Sequence, residues 1–330
     1  MVSNRANAIC LLKVLQEYSD EAHILSMREI KEKLKSIYDI TIDRRTVYST
    51  VELLQLLDYD ISTYEENGVG YYLRTRNFEP SEIRLLTDAV YAFDYITPKQ
   101  TKDLAQKLQK LLSVHARKPF RHLHVIRPER KTKNPQVFLN IELLEEAIDS
   151  GKKVAFTYLD YAPDKTLQPR RKEQYVANPY GMVCENERYY LVLILDGLTA
   201  PSLYRIDLMR DLEILPQKVS PTAAEANLNN TKNVTYAFVG EPEHIRLRCA
   251  DHVLRHVLDR FGTELFIQDN KDGTVDVGFT ASPQGVKFWA LQYLPYVEVL
   301  EPGHLRESVI ESIKQNPYGM GQEGEHQNVE

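Results

Sequence analysis

The chain has 330 residues, a hydrophobic share of 43% and a formal net charge of −6. That length and apolar content support packed cores in two or three domains, and no run approaches the roughly 20 apolar residues of a membrane span. The acidic balance excludes a globally basic nucleic-acid binder and leaves room for a local basic face.

The N-terminal MVSNRANAIC lacks the charged-then-apolar layout of a signal peptide. Cys10, Cys184 and Cys249 are odd in number and far apart, which argues against a disulfide framework and a compact zinc site. A reducing cytoplasm is the expected location, with no membrane partner, no metal and no cofactor.

In chain order, Ile9, Leu12, Val14 and Leu15 recur at helical spacing within residues 4–19. Ser26 and Glu29 form a capping-box signature ahead of a second helix, Met27–Ile37, with Ile30, Leu34 and Ile37 on one face. Asp43 can cap a third helix, Arg44–Leu57, whose inner face is Val47, Val51 and Leu54, with Leu57 as a further candidate. Asp60–Thr63, the polar turn 65–68 and Gly70–Arg74 read as strand, turn and strand. Three helices and a hairpin in about 75 residues suggest a winged helix-turn-helix over residues 1–78. Its third helix opens with Arg44, Arg45, Thr46, Tyr48 and Ser49, residue types suited to base edges and phosphates, and the wing offers Arg74 and Arg76. The segment TIDRRTVYSTVELLQLLDYDISTYEENGVGYYL resembles the DeoR-type winged helix, with Gly68, Gly70, Tyr71 and Leu73 carrying the match to its wing.

Residues 79–137 read as a helical and basic linker. One helix starts at Pro80 with Ile83, Leu86, Val90 and Phe93 inward, and another at Thr97-Pro98 with Leu104, Leu108 and Leu111 spaced by helical turns. The pair can serve as a connector or as a dimerisation element. In residues 114–134, seven Lys and Arg face only Glu129, with rings interleaved, a composition that suits either a solvated linker or a nucleic-acid backbone. The helix Phe138–Ser150 then ends at Gly151.

Residues 153–215 hold short apolar and aromatic runs separated by turn signals: Lys153–Leu159, Tyr175–Val183, Tyr189–Leu195, Leu203–Leu208 and Asp211–Leu215, with Asp196-Gly197 the strongest hairpin signal. They suggest a small antiparallel barrel or sandwich. Arg205 and Asp207 would share one face of a strand, either as a solvated pair or as part of a site.

Tyr189-Tyr190-Leu191, followed by Tyr204-Arg205-Ile206-Asp207 and preceded by Asn178-Pro179-Tyr180-Gly181, resembles the WYL domain. Tyr189 stands where that family usually has Trp, and Leu208 stands where it usually has a second Arg. The resemblance implies an Sm- or SH3-like barrel, over residues 138–218, that senses a nucleotide or single-stranded nucleic acid. Tyr158, Arg170, Arg171, Tyr190, Arg205 and Arg210 are the candidate effector contacts; the alternative is that Tyr158 and Tyr190 are barrel core and Arg205 pairs with Asp207.

Residues 220–233 read as a short helix and connector. The order strand, helix, strand, strand, helix, strand over residues 243–300, closed by a helix to residue 316, is ferredoxin-like and resembles the extension that accompanies many WYL domains. It is assigned to residues 234–316, and the polar tail 317–330 is expected to be disordered. No Walker loop, nucleophile elbow or metalloprotease motif is present, and His252 and His256 on one helix lack a supporting acid, so no enzymatic activity is expected.

The expectation is a multidomain α+β transcription regulator of bacterial type, binding a double-stranded DNA operator as a homodimer. The alternative is a nucleic-acid-sensing module that acts through protein contacts.

Overall fold

The computed structural model describes residues 4–117, 130–185, 187–220 and 241–318. It is a mixed α+β, multidomain architecture of helices and curled antiparallel sheets, in two compact units that meet at Lys133 and Asn134 in the chain.

The first unit opens with α1 (Asn4–Tyr18), α2 (Met27–Tyr38) and α3 (Arg44–Leu56). The Glu29 carboxylate accepts the Ser26 N–H at 2.8 Å, closing the capping box of α2. Asp43 accepts the Thr46 N–H at 2.7 Å at the start of α3. The core joins Leu11, Val14 and Leu15 to Ile30, Leu34, Val47, Val51 and Leu54. In α1 the inward stripe is therefore 11, 14 and 15; Ile9 faces out at 59% exposure.

β1 (Ile61–Ser62) and β2 (Tyr72–Leu73) pair antiparallel. Between them α4 (Tyr64–Asn67), a single helical turn capped by Glu66 on the Thr63 N–H, replaces the expected polar turn. Gly68 leaves it at φ +70°, a region that favours glycine. Tyr71 and Leu25 exchange backbone hydrogen bonds of 2.8 and 2.9 Å. That approach brings the Gly70 backbone so close that a Cβ there would lie 2.1 Å from the Leu25 carbonyl oxygen.

α5 (Pro80–Ala92) and α6 (Pro98–Gln109) follow. Their buried positions are Ile83, Thr87, Thr101 and Ala105, with Leu112 beyond. The leucine spacing misleads here, since Leu86 and Leu111 are exposed. The two threonines tolerate burial because each hydroxyl donates to its own helix, Thr87 to the Ile83 carbonyl at 2.7 Å and Thr101 to the Thr97 carbonyl at 3.0 Å. The segment after α6 returns to α1: the Val114 N–H donates to the Glu17 carbonyl at 2.8 Å, and Arg117 pairs with the Glu17 carboxylate at 3.1 Å. Most of the basic stretch, the polar connector after Ser220 and the tail beyond Tyr318 lie outside the described residues.

The second unit begins with α7 (Val137–Ser150), which ends at Gly151 with φ +61°. β3 (Lys152–Tyr161), β4 (Leu167–Pro169), β5 (Tyr175–Glu185), β6 (Arg188–Leu195), β7 (Ser202–Arg205) and β8 (Met209–Lys218) form one sheet in the order β4-β3-β5-β6-β7. β8 returns to pair with β3, with two register shifts. Bulges of this kind bend and twist a sheet, and here the sheet curls until its last strand meets its first. The run Leu203–Leu208, expected as one strand, breaks after Arg205, and Ile206–Leu208 forms a 3-10 turn. Two buried asparagines hold that turn. Asn134 Nδ2 donates to the Asp207 and Met209 carbonyls (3.0 and 2.9 Å), and Asn140 Nδ2 to Ile206 and Met209 (3.4 and 3.1 Å).

The chain ends in β9 (Glu243–Ala250), α8 (Leu254–Phe261), β10 (Phe266–Asp269), β11 (Thr274–Ala281), α9 (Pro283–Gln292), β12 (Val297–Glu301) and α10 (Gly303–Lys314). The sheet order is β10-β11-β9-β12, all antiparallel, and Trp289, Phe279 and Val257 lie in the core beside it. Among the described residues no helix is long and apolar enough to cross a membrane.

Candidate functional site

The second unit's curled sheet buries one carboxylate. Asp207 sits in the 3-10 turn with its side chain 1% exposed, and two guanidiniums converge on it. Arg205 binds through Nε to Oδ1 at 3.0 Å and Nη2 to Oδ2 at 2.7 Å, a two-point geometry that fixes the planar side chain. Arg188, at the start of β6, places Nη1 3.4 Å from Oδ2. Burial opposes the Arg205 charge, but the hydrogen bond and charge of Asp207 outweigh it and raise its pKa.

An aromatic cluster backs this pair. Tyr158 and Tyr204 meet edge to face at 4.7 Å, and Tyr175 stacks on Phe156 at 5.6 Å. The Arg205 N–H donates to the Tyr158 hydroxyl oxygen at 3.2 Å, and burial pushes that hydroxyl up to about 12. Tyr190 is half-buried and lies directly opposite Arg205 on the neighbouring strand; burial raises its pKa as well. The β4–β5 connection adds two cations. Arg170 holds its guanidinium carbon 5.0 Å from the Tyr158 ring centre while pairing with Asp160 at 2.8 Å, and Arg171 lies 3.6 Å over the Tyr175 ring.

Tyr158, Arg170, Tyr190 and Arg205 are thus gathered, with Arg171 on the adjoining Tyr175 ring. Tyr158 is more buried than a contact residue needs to be and forms part of the core. Arg210 does not join them. It stands exposed on β8 opposite Thr157, on the other side of the strand from Met209 and Tyr158. Arg188 and Tyr204 were not singled out from the sequence. Arg188 could have been found from strand alternation, because it shares a face with Tyr190 two residues on.

In the first unit, Arg44, Arg45, Tyr48 and Ser49 are exposed along the start of α3, and Thr46 is half-buried. The Ser49 hydroxyl donates to the Thr46 carbonyl at 3.2 Å. Arg28, Lys31 and Lys35 of α2 line a groove with Arg44, and Glu32 is its acidic member. Arg74 is held by Asp60 at 2.7 Å and Glu66 at 2.8 Å. Arg76 donates to the Gln16 and Ser19 carbonyls, so its guanidinium is engaged at the C-terminal end of α1.

Residues 140–214 match the WYL domain and residues 241–315 the WCX domain. No curated protein matches the chain at a significant level. Among solved structures, the chain is similar to proteasome accessory factor B/C (PafBC) of Arthrobacter aurescens, with 16% identity and a TM-score of 0.26. That likeness covers 94% of this chain and 46% of the other, so this chain spans less than half the length of that structure. It is also similar to a CRISPR Cas-related protein, with 14% identity, a TM-score of 0.37 and coverage of 72% and 70%. At these scores neither likeness bears on function.

Proposed function

We propose that this chain, which carries a WYL domain followed by a WCX domain, is a DNA-binding transcription regulator whose WYL domain senses an anionic effector. The single observation that carries the sensor reading is the convergence of Arg205 and Arg188 on one buried carboxylate beside Tyr190. Both guanidiniums stand on the side of the sheet that Tyr190 occupies, so cationic and aromatic groups are presented together. Arginine forks suit phosphate and aromatic rings suit bases, so the fitting ligand is a nucleotide or a short single-stranded nucleic acid.

The three helices and short hairpin of the first unit support a winged helix-turn-helix. In that reading α3 enters the major groove, with Arg44, Arg45, Thr46, Tyr48 and Ser49 leading. Lys31 and Arg28 of α2 would approach the flanking phosphates. One such module offers a small interface, so a second copy would supply the other half-site and the operator would be an inverted repeat. The sheet order of the last domain fits the ferredoxin-like arrangement, and the curled sheet fits a small Sm- or SH3-like barrel. No turnover is proposed.

The test is titration of labelled oligonucleotides and nucleotides against the wild type and Arg205→Ala. The sensor reading expects binding by the wild type at micromolar concentration and loss in the variant. Absence of wild-type binding at tens of micromolar, or equal binding by Arg205→Ala, overturns it. Sequencing DNA that co-purifies with the protein supplies the operator for the DNA arm.

A further inference from the structure

Arg260 of α8 reaches out of the C-terminal domain to the end of the β5–β6 hairpin. Its Nη2 lies 2.7 Å from Glu185 Oε1, and both side chains are about four-fifths buried, at 22% and 19% exposure. Burial at both ends makes this pair stronger than a solvated one and leaves either partner costly to strand. Glu185 is the last residue of β5 and pairs across the hairpin with Arg188, the first of β6. Directly opposed residues share a face of the sheet. The next pair on that face is Val183 and Tyr190, and Tyr190 in turn opposes Arg205.

A row of charges therefore runs from Arg260 through Glu185 and Arg188 to Asp207 and Arg205. Its two ends differ in rigidity. Phe261, the neighbour of Arg260, is stacked on Phe279 at 4.3 Å and packs edge to face against Trp289 at 5.2 Å. At the other end Tyr189 packs on the sheet's own core while only partly buried, and strand ends are where local opening is cheapest. Arg260 is a fixed post to which the end of β5 is tied, and the facing end of β6 carries the guanidinium that leans on Asp207.

We propose that Arg260 is a positioning residue of the WYL-domain site: its ion pair with Glu185 holds the β5–β6 tip so that Arg188 and Tyr190 stand beside Arg205. The WCX domain is then part of the sensor. The binding arm of this inference rests on the sensor reading above; the structural arm does not.

The experiment uses the full chain and the variants Arg260→Gln, Glu185→Gln and the double variant. Hydrogen exchange is measured over residues 183–191 and 203–209, with β3 as the internal reference. The proposal expects each single variant to speed exchange at the β5–β6 tip at least fivefold, with β3 unchanged and the double variant no faster than either single. In the second arm, a labelled twelve-residue oligothymidylate that the wild type binds should bind each single variant about tenfold more weakly, again without further loss in the double.

Unchanged exchange in Arg260→Gln overturns the proposal whatever the ligand does. Single effects that add in the double variant also overturn it, because the two residues would then act separately. Faster exchange at β3 as well overturns it in favour of a general structural role. If exchange follows the expectation and the wild type binds no oligonucleotide or nucleotide, the positioning role stands and the sensor reading fails.

Discussion

Removing Arg205 should loosen the second unit by a definite amount. Arg205 meets Asp207 through bonds of 3.0 and 2.7 Å, and the carboxylate is 1% exposed. Breaking a buried pair by deleting one partner costs about 3–5 kcal/mol when the other charge is left uncompensated. Here Arg188 remains 3.4 Å from the same carboxylate, and Arg205 is 23% exposed, so part of its charge is already solvated. The cost of Arg205→Ala is therefore about 2 kcal/mol. For a domain of this size each kcal/mol lowers Tm by about 2–4 °C, which gives a fall of about 4–8 °C. Asp207→Ala should cost more, about 3 kcal/mol, because it strands two guanidiniums. Thermal and urea melts followed by circular dichroism check both values. A Tm for Arg205→Ala within about 1 °C of the wild type refutes the reasoning, since the pair would then contribute no net stability, and so does a larger loss for Arg205→Ala than for Asp207→Ala, since Arg205 would then act mainly outside the pair. Effector titrations of these variants belong at temperatures where both remain folded, so that lost binding is read on native protein.

Arg45→Ala should weaken operator binding by about 1–3 kcal/mol with a steep salt dependence, and Arg74→Ala by less than about 1 kcal/mol because two carboxylates already hold its guanidinium. Gel shifts on the selected DNA check both, and unchanged affinity in the Arg44/Arg45 double alanine variant sinks the α3 assignment. Asn140→Ala should lower stability by about 1–2 kcal/mol, since it strips donors from the Ile206 and Met209 carbonyls while Asn134 still reaches Met209; an unchanged urea midpoint counts against it. Hydrogen bonds from Arg248 and Asn270 and a further one from Arg246, opposed by burial, hold the Asp276 carboxyl well below the usual carboxylate range. A depressed folded pKa stabilises fully above the unfolded value of about 4 and is lost as pH falls below it. The Tm advantage of the wild type over Asp276→Asn should therefore hold above about pH 5 and shrink as pH falls from about 4 toward 2, and a constant difference refutes the linkage.

What the sequence determined by itself was local. Ser26, Asp43 and Gly151 mark helix ends because a cap is a contact within a few residues, and the structure places those ends there. The order of strands and helices in the C-terminal domain follows from periodicity, which is likewise a short-range property. Tertiary structure decided what depends on distant partners. Leu86 and Leu111 carry the apolar pattern of inward residues yet face out, while their neighbours Thr87 and Leu112 are buried, Thr87 tolerating it because its hydroxyl donates within its own helix. Arg205 and Asp207 were expected on one strand face, but Asn134 and Asn140 draw the chain into a 3-10 turn through carbonyls some 70 positions away. Arg188 acquires its partner only when the sheet curls and the turn after β7 brings Asp207 to the start of β6. Arg74 and Arg210 illustrate the converse: a basic residue near a site is legible in the sequence, but whether its charge is already neutralised, or points away, depends on packing across the fold.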